Sequence, residues 1–182
     1  THIENLDALT KHLDLGDVTL VIHDWGGAIG MGWAMKNAAK VRRLVVLNTA
    51  AFRSTRIPFS INICRIPGFG ALAIRGMNAF ARAAVIRAAT TSLPKTVIHG
   101  YLGPYDSWAN RIANLRFVQD IPMHRGIPSW PVLETIEAGL AQFKDRPMLI
   151  CWGAKDFCFN DSFLATWREH FPDADVHRFA DA

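Results

Sequence analysis

An aspartate and a tryptophan that follow a short apolar run are the residues best placed to do chemistry. Residues 18–22 are β-branched or apolar, and Asp24 and Trp25 come shortly after them. Small residues then follow at Gly26, Gly27, Ala28 and Gly30. This pattern predicts a strand, a sharp turn and a helix, with Asp24 at the tip of the turn. An unperturbed aspartate has a pKa near ~3.9 and is ionised at neutral pH, so Asp24 is able to attack carbon and form an ester without a base.

The predicted helix would hold Asp24 as an anion, because its dipole and its free N–H groups lie beside the carboxylate. The backbone N–H of Trp25 would face a developing oxyanion. Its indole N–H would bind a leaving halide or a polar substrate oxygen. In the alternative interpretation, Asp24 only caps the helix and Trp25 fills the core. A cap contributes about 1 kcal/mol, which does not explain the tryptophan or the small residues behind it.

The rest of the chain alternates between helical and strand patterns on both sides of a long block without strands. Alternating helices and strands predict an α/β fold with a parallel sheet. Residues 52–145 contain no strand pattern, and an Ala- and Arg-rich helix is predicted over residues 71–89. The other predicted elements are helices over residues 1–14, 26–40 and 163–170 and strands over residues 41–47, 147–152 and 176–179.

The sequence His-Asp-Trp-Gly-Gly at residues 23–27 resembles the nucleophile elbow of the α/β-hydrolases that use aspartate in place of serine. It looks like the elbow of the haloalkane dehalogenases, the epoxide hydrolases and the β-lactone decarboxylases of bacterial olefin synthesis. This resemblance implies an α/β-hydrolase fold, a mostly parallel sheet with an inserted helical cap, of which this chain holds only part. The implied domains are residues 1–51 (first part of the core), 52–145 (cap) and 146–182 (second part of the core). Within the cap, Tyr-Asp-Ser-Trp-Ala-Asn-Arg at residues 105–111 most resembles the decarboxylases.

The same resemblance assigns a second carboxylate. Gly153 follows a strand pattern, and Asp156 stands three residues later, where α/β-hydrolases place the acid that orients the catalytic histidine. Some dehalogenases carry this acid earlier in the chain, at a position that corresponds to Asn48, which cannot be an anion. Alternatively, Asp156 caps a turn. The resemblance places the catalytic histidine and the second oxyanion donor outside residues 1–182, since none of the seven histidines follows the last strand in the family's context.

Aromatic residues of the implied cap are candidates to line a substrate pocket: Tyr101, Tyr105 and Trp108. Each of them could equally be a packing residue between helices. The cap tyrosines of epoxide hydrolases donate a proton to the opening ring, so the two tyrosines leave that activity open. The apolar, aromatic character of the cap favours a hydrophobic small-molecule substrate. No cofactor, metal or nucleic acid is expected.

Composition describes a globular chain of 182 residues, 50% hydrophobic and 20% charged, without an apolar run of about 18 residues that would span a membrane. The three cysteines, Cys64, Cys151 and Cys158, fit no metal-ligand or disulfide spacing. They are expected to be buried thiols in a reducing compartment, which indicates the cytoplasm. Seven basic residues and no acidic residue lie between positions 52 and 105. This basic cap would meet an anionic membrane surface or a partner protein, or simply form the solvated faces of helices.

These observations predict a haloalkane dehalogenase-like hydrolase in which Asp24 attacks an electrophilic carbon and forms a covalent ester. An alkyl β-lactone decarboxylase that releases an alkene and an epoxide hydrolase are the alternatives, since the elbow and the acid serve all three reactions. A further alternative is a non-catalytic hydrolase-fold fragment that binds through its basic cap.

Overall fold

A single parallel sheet forms the centre of the fold. The computed structural model describes residues 2–182. The four strands all run parallel in the order β1-β2-β3-β4, so the predicted α/β architecture with a parallel sheet is confirmed. The strands are β1 (Val18–Asp24), β2 (Val41–Thr49), β3 (Met148–Gly153) and β4 (Asp175–Phe179).

Eight α-helices connect or flank these strands within the described residues. Helix α2 joins β1 to β2, and helix α8 joins β3 to β4, whereas the connection from β2 to β3 contains five helices. The helices are α1 (His2–His12), α2 (Gly26–Lys36), α3 (Phe59–Ile63), α4 (Ala79–Arg87), α5 (Lys95–Leu102), α6 (Ile112–Gln119), α7 (Trp130–Gly139) and α8 (Asp161–His170). None of the helices in this described part is long and apolar enough to cross a membrane.

The turn from β1 into α2 depends on glycines that pack against neighbouring strands. A Cβ on Gly27 would collide with the hydroxyl of Thr49 and lie 2.5 Å from the carbonyl oxygen of Ala50. A Cβ on Gly30 would lie 2.6 Å from a methyl group of Ile22. Only glycine therefore allows α2 to start this close to the end of β2, as the small residues in the sequence predicted.

Three tryptophans anchor the core around the sheet. Trp33, Trp152 and Trp167 are almost completely buried. The indole N–H of Trp33 donates to the Thr10 hydroxyl at 2.9 Å, and the indole N–H of Trp167 donates to the carbonyl oxygen of Thr49 at 2.9 Å. Trp167 thus ties α8 to the end of β2, the strand that lies beside both β1 and β3.

The chain divides into two compact units. Residues 2–54 and 122–182 form the unit that contains the sheet, and residues 55–121 form the second unit. The second unit contains helices and has its own small core of Ile74, Leu115 and Val118. Helix α7 belongs to the sheet unit, where its Ile136 joins the main core. The domain boundaries predicted at residues 51/52 and 145/146 are not the limits of these two compact units, and they stay a prediction.

Two predicted helices differ from the observed ones. The predicted helix over residues 71–89 is interrupted: Ala71–Gly76 forms a π-helix, and α4 begins only after Asn78, which has a left-handed backbone (φ 52°). Helix α2 ends at Lys36 instead of Lys40, and Ala38–Lys40 forms a separate 3₁₀ turn. An asparagine stands at each break, Asn37 at the end of α2 and Asn78 at the start of α4, and this residue type tolerates non-helical conformations.

Candidate active site

Asp24 occupies the turn between β1 and α2 in a strained backbone conformation. It is the last residue of β1, and its φ angle is 50°. Residues other than glycine rarely adopt this left-handed region, and such strain concentrates at functional sites. A nucleophile on a strand-to-helix turn has this geometry because the turn lifts its side chain clear of the sheet. The side chain of Asp24 is exposed to solvent, as an attacking group must be.

Two hydrogen bonds fix this turn. The backbone N–H of Trp25 donates to Oδ1 of Asp24 at 2.5 Å, and the hydroxyl of Thr49 donates to the backbone carbonyl of Asp24. The first bond holds Oδ1 at the start of α2, which favours Oδ2 as the attacking oxygen. If Asp24 became an ester, Oδ1 would be its carbonyl oxygen, and the Trp25 N–H would then act as an oxyanion donor.

The surroundings of Asp24 favour its neutral form. Although the side chain is accessible, nearby protein atoms remove part of its hydration, and this desolvation raises the pKa of the carboxyl above its ordinary value. The Trp25 N–H and the charge of His23 lower the pKa, whereas the negative charge of Asp156 raises it further. A carboxylate that is less hydrated and more basic is a stronger nucleophile.

Asp156 lies in the loop between β3 and α8, close enough to Asp24 for its charge to act on that group. The side chain is half-buried. Its Oδ1 accepts hydrogen bonds from the backbone N–H groups of Cys158 at 2.7 Å and Phe159 at 2.9 Å. Both carboxylates therefore stand at the carboxyl ends of parallel strands, where α/β sheets bind their ligands.

Cys158 is a site residue that the sequence did not single out. Burial and the negative charges of Asp156 and Asp24 raise the pKa of its thiol to about 12. Its position near both carboxylates depends on the ends of β1 and β3 lying on either side of β2, which no spacing in the sequence reveals. All three cysteines are free thiols. They are half-buried, whereas the sequence predicted buried thiols.

The aromatic candidates lie in the second unit. Tyr101 in α5 is 61% exposed. The backbone carbonyl of Tyr105 accepts hydrogen bonds from Asn78 at 3.0 Å and Arg111 at 2.7 Å. Trp108 is 48% exposed, and its ring packs under the guanidinium of Arg75 at 4.4 Å. The role of these three aromatic residues in lining a pocket stays a prediction.

Among residues 2–182 the structure shows no group of three or more His, Cys, Asp or Glu side chains that could hold a metal ion. The histidine next to the candidate nucleophile is His23, which is exposed and precedes Asp24 in β1. The catalytic histidine and the second oxyanion donor, predicted to lie outside residues 1–182, stay a prediction.

Comparison with known proteins finds relatives among two kinds of enzyme. The chain is 44% identical over 184 residues to a cis-3-alkyl-4-alkyloxetan-2-one decarboxylase of Shewanella oneidensis, covering 98% of this chain and 58% of that protein. It is 42% identical over 186 residues to a decarboxylase of the same name from Xanthomonas campestris pv. campestris, covering 100% of this chain and 62% of that protein. A haloalkane dehalogenase of Mycobacterium bovis is 27% identical over 166 residues, covering 85% of this chain and 50% of that protein.

The chain thus spans about three fifths of the length of the two decarboxylases. A solved haloalkane dehalogenase structure from Agrobacterium tumefaciens C58 matches with a TM-score of 0.80 and 24% identity, covering 97% of this chain and 63% of that one. That likeness supports the fold alone. The family model described as the alpha/beta hydrolase fold matches residues 1–182. The chain therefore belongs to the α/β hydrolase fold family.

Proposed function

We propose that this chain belongs to an enzyme that decarboxylates 3,4-dialkyl β-lactones to alkenes, with Asp24 as the nucleophile. The observation that carries the proposal is the left-handed turn at Asp24, whose Oδ1 accepts the Trp25 N–H at 2.5 Å. The choice of substrate is supported by the two decarboxylases that are 44% and 42% identical to the chain. The sequence alone favours a dehalogenase, whereas these identities favour the decarboxylase instead.

The first step is a displacement on the lactone ring. A lone pair on Oδ2 of Asp24 attacks C4, the ring carbon that carries an alkyl group and the ring oxygen. The C4–O1 bond breaks, and its electron pair stays on O1, so the product is an Asp24 ester that bears a free carboxylate. No proton moves in this step. The indole N–H of Trp25 and the proposed histidine, held as a cation by Asp156, are suited to stabilise the carboxylate that develops at O1.

The second step releases both products. The C2–C3 bond breaks, and its electron pair forms the C3=C4 double bond, while C2 leaves as carbon dioxide. The bond between C4 and the Asp24 oxygen breaks at the same time and returns its electron pair to the carboxylate. Lactone is thereby converted to alkene and carbon dioxide without consuming water, and Asp24 is regenerated.

A haloalkane dehalogenase is the second candidate, favoured by the position of the Trp25 N–H on Oδ1. In that reaction Asp24 expels halide, and water then attacks the ester carbonyl carbon, so that the oxyanion forms on Oδ1. This second step needs the base that Asp156 would orient. An epoxide hydrolase would use the same steps with an opened ring as the leaving group.

Product analysis with the full-length protein separates these candidates. The enzyme is incubated in H₂¹⁸O with a cis-3,4-dialkyl β-lactone or with a bromoalkane of matched chain length, and alkene, halide and alcohol are measured. Alkene from the lactone with no ¹⁸O in Asp24 supports the decarboxylase. Halide release with ¹⁸O in Asp24 supports the dehalogenase. A folded protein that forms neither product supports the non-catalytic alternative.

We also propose a docking surface on the second unit. Residues 55–121 carry eight Arg or Lys side chains against two Asp, a net charge of +6, whereas the remaining residues carry twelve against fourteen, a net charge of −2. Large apolar side chains are exposed in the same unit, with Phe59 at 79% and Ile86 at 76%. Basic side chains near an anionic bilayer contribute about 1 kcal/mol each, and a dialkyl substrate partitions into such a bilayer. An anionic membrane surface is therefore the proposed partner of the second unit. The three free cysteines fit a cytoplasmic location for the enzyme.

Vesicle flotation of the full-length protein tests this surface. Binding to phosphatidylglycerol vesicles, but not to phosphatidylcholine vesicles, is expected. The double variant Arg82→Glu with Lys95→Glu should lose that binding. The control, Arg42→Glu with Arg43→Glu, makes the same charge change in the sheet unit and should retain it. Equal loss in both variants, or no binding to anionic vesicles, would contradict the proposal and favour an acidic protein partner or a solvated helix face.

A further inference from the structure

Asn48 is a buried asparagine at the end of the central strand β2 whose side-chain amide bonds to the backbone at two places. It is 8% exposed. Its Nδ2 donates to the carbonyl oxygens of Gly153 at 2.9 Å and Phe159 at 3.1 Å. Its Oδ1 accepts from the backbone N–H of Gly153 at 2.7 Å. Three hydrogen bonds therefore join β2 to residues that lie more than 100 positions further along the chain.

The two anchor points enclose the loop that carries Asp156. Gly153 is the last residue of β3, and Phe159 directly precedes the N-cap of α8. Asp156 in turn accepts the backbone N–H of Phe159. Phe159 is thus held through its carbonyl by Asn48 and through its N–H by Asp156, so a shift of either end of the loop would move the Asp156 carboxylate.

This position requires an amide. The two carbonyl oxygens need N–H donors, and the N–H of Gly153 needs an acceptor. Asparagine supplies both kinds of group, whereas an aspartate would place its oxygens against two carbonyls. Leucine has the same branched arrangement of heavy atoms but would leave these buried backbone groups without their partner.

The neighbouring residue of β2 bonds to the backbone of the turn that carries the other carboxylate. The hydroxyl of Thr49 donates to the backbone carbonyl of Asp24. Asn48 and Thr49 therefore bond from one strand to the loop of Asp156 and to the turn of Asp24, respectively. The end of β2 therefore bonds to both segments that carry the two carboxylates.

We propose that Asn48 is a positioning residue that holds Asp156 in the geometry needed for turnover. The proposal rests on the proposed function, in which Asp156 orients the catalytic histidine. Asn48 touches no substrate and acts only through the loop from Gly153 to Phe159. Because misplacing a catalytic group by about 1 Å costs on the order of 10²-fold in rate, its loss should lower kcat strongly and leave KM little changed.

A double-mutant cycle on the full-length enzyme tests this coupling. Asn48→Leu should reduce kcat for alkene formation on the order of 10²-fold. Asp156→Asn removes the charge but keeps the oxygen that accepts the loop N–H groups. In the Asp156→Asn background, Asn48→Leu should cause almost no further loss, since the two changes disable the same group. An equal fold-loss in both backgrounds, or an unchanged kcat in the single variant, would overturn the proposal.

A matched control at Asn37 and amide hydrogen exchange in the loop separate positioning of Asp156 from general stability. Asn37 also donates two side-chain hydrogen bonds, to Asp7 at 2.9 Å and to the carbonyl of Trp33 at 3.1 Å, but it caps the end of α2. Asn37→Leu should lower the melting temperature and leave kcat unchanged. Asn48→Leu should speed amide hydrogen exchange in residues 153–159, and unchanged exchange there would contradict the proposal independently of any assay.

If Asn48→Leu does not fold, Asn48→Ala is tested instead, with Asn37→Ala as its matched control. Full activity of Asp156→Asn would refute the proposed role of Asp156, and with it the catalytic part of this inference. The exchange rates of residues 153–159 would in that case still decide whether Asn48 holds the loop. The two failures are therefore distinguishable.

Discussion

Asp24 ends β1 and Asp156 follows the end of β3, on either side of β2, and the charge of Asp156 adds to the desolvation that raises the pKa of Asp24. Two carboxylates that share a site repel each other unless a cation or a proton lies between them. A histidine supplied to this site would be stabilised as a cation by both. In the proposed mechanism, one carboxylate would serve as the nucleophile while the other would orient and charge the base.

Replacing Asp24 with asparagine should stabilise the fold at neutral pH. The folded state raises the pKa of Asp24 above its ordinary value of 3.8. The protonated carboxyl therefore stabilises the folded state fully below pH 3.8, and this stabilisation is lost as pH rises through the folded pKa. At pH 7 the ionised carboxylate therefore lowers the free energy of unfolding. Urea unfolding of Asp24→Asn should show a gain at pH 7 that shrinks as pH falls toward 4.

Asp161 provides the control of opposite sign. Its hydrogen bonds to Arg178, at 2.9 and 2.8 Å, lower the pKa of that carboxyl. Its contribution is present above the unfolded pKa and is lost as pH falls through the folded one, so Asp161→Asn should destabilise the protein at pH 7. If Asp24→Asn also destabilised the protein at pH 7, desolvation would not be the main effect on Asp24.

Two adjacent glycines at the start of α2 should respond differently to the same substitution. Gly27→Ala places a methyl group against Thr49 and 2.5 Å from the carbonyl oxygen of Ala50, and such overpacking costs about 1–3 kcal/mol. Gly26→Ala meets nothing within 4 Å. Melting temperatures should fall for Gly27→Ala and stay unchanged or rise slightly for Gly26→Ala. Similar melting temperatures for the two variants would mean that the turn is looser than described.

The thiol of Cys158 should react slowly with alkylating reagents. With a pKa of about 12, its labelling by iodoacetamide should increase steadily up to pH 10, whereas glutathione in the same tube should level off above about pH 9. Asp156→Asn removes one of the charges that raise this pKa, so it should speed labelling of Cys158. Peptide mass spectrometry follows each cysteine separately.

Cys64 is the internal control for that experiment. Burial alone raises the pKa of its thiol, so Asp156→Asn should leave its labelling rate unchanged. An effect on Cys64 equal to the effect on Cys158 would point to general loosening of the protein. No effect on Cys158 would contradict the proximity of its thiol to Asp156.

The turn at Asp24 was predictable because its causes are local in sequence. A β-branched run forces a strand, and the small residues after Trp25 permit the helix to start immediately. Asp156 was reached through resemblance, from a glycine three residues before it. The interrupted helix at Asn78 is also local, but an isolated left-handed residue leaves the helical pattern on both sides intact, so the periodicity did not show it.

Contacts across the sheet could not be predicted. The amide of Asn48 bonds to the backbone of Gly153, 105 positions later. The charge of Asp24 raises the pKa of the Cys158 thiol, which lies 134 positions later in the chain. Both depend on the order of the strands, in which β2 lies between β1 and β3. Sequence showed Asn48 only as a residue that cannot be an anion, whereas the hydrogen bonds of its amide became visible once the strands were paired.

Rapid-quench mass spectrometry of the full-length enzyme tests the role of Asp24 most directly. The enzyme is mixed with a cis-3,4-dialkyl β-lactone, quenched within one turnover and digested. The peptide that contains residue 24 should be heavier by the mass of the intact lactone, and Asp24→Asn should form neither this adduct nor alkene. An adduct on a different residue, or alkene formation by Asp24→Asn at the wild-type rate, would show that Asp24 is not the nucleophile.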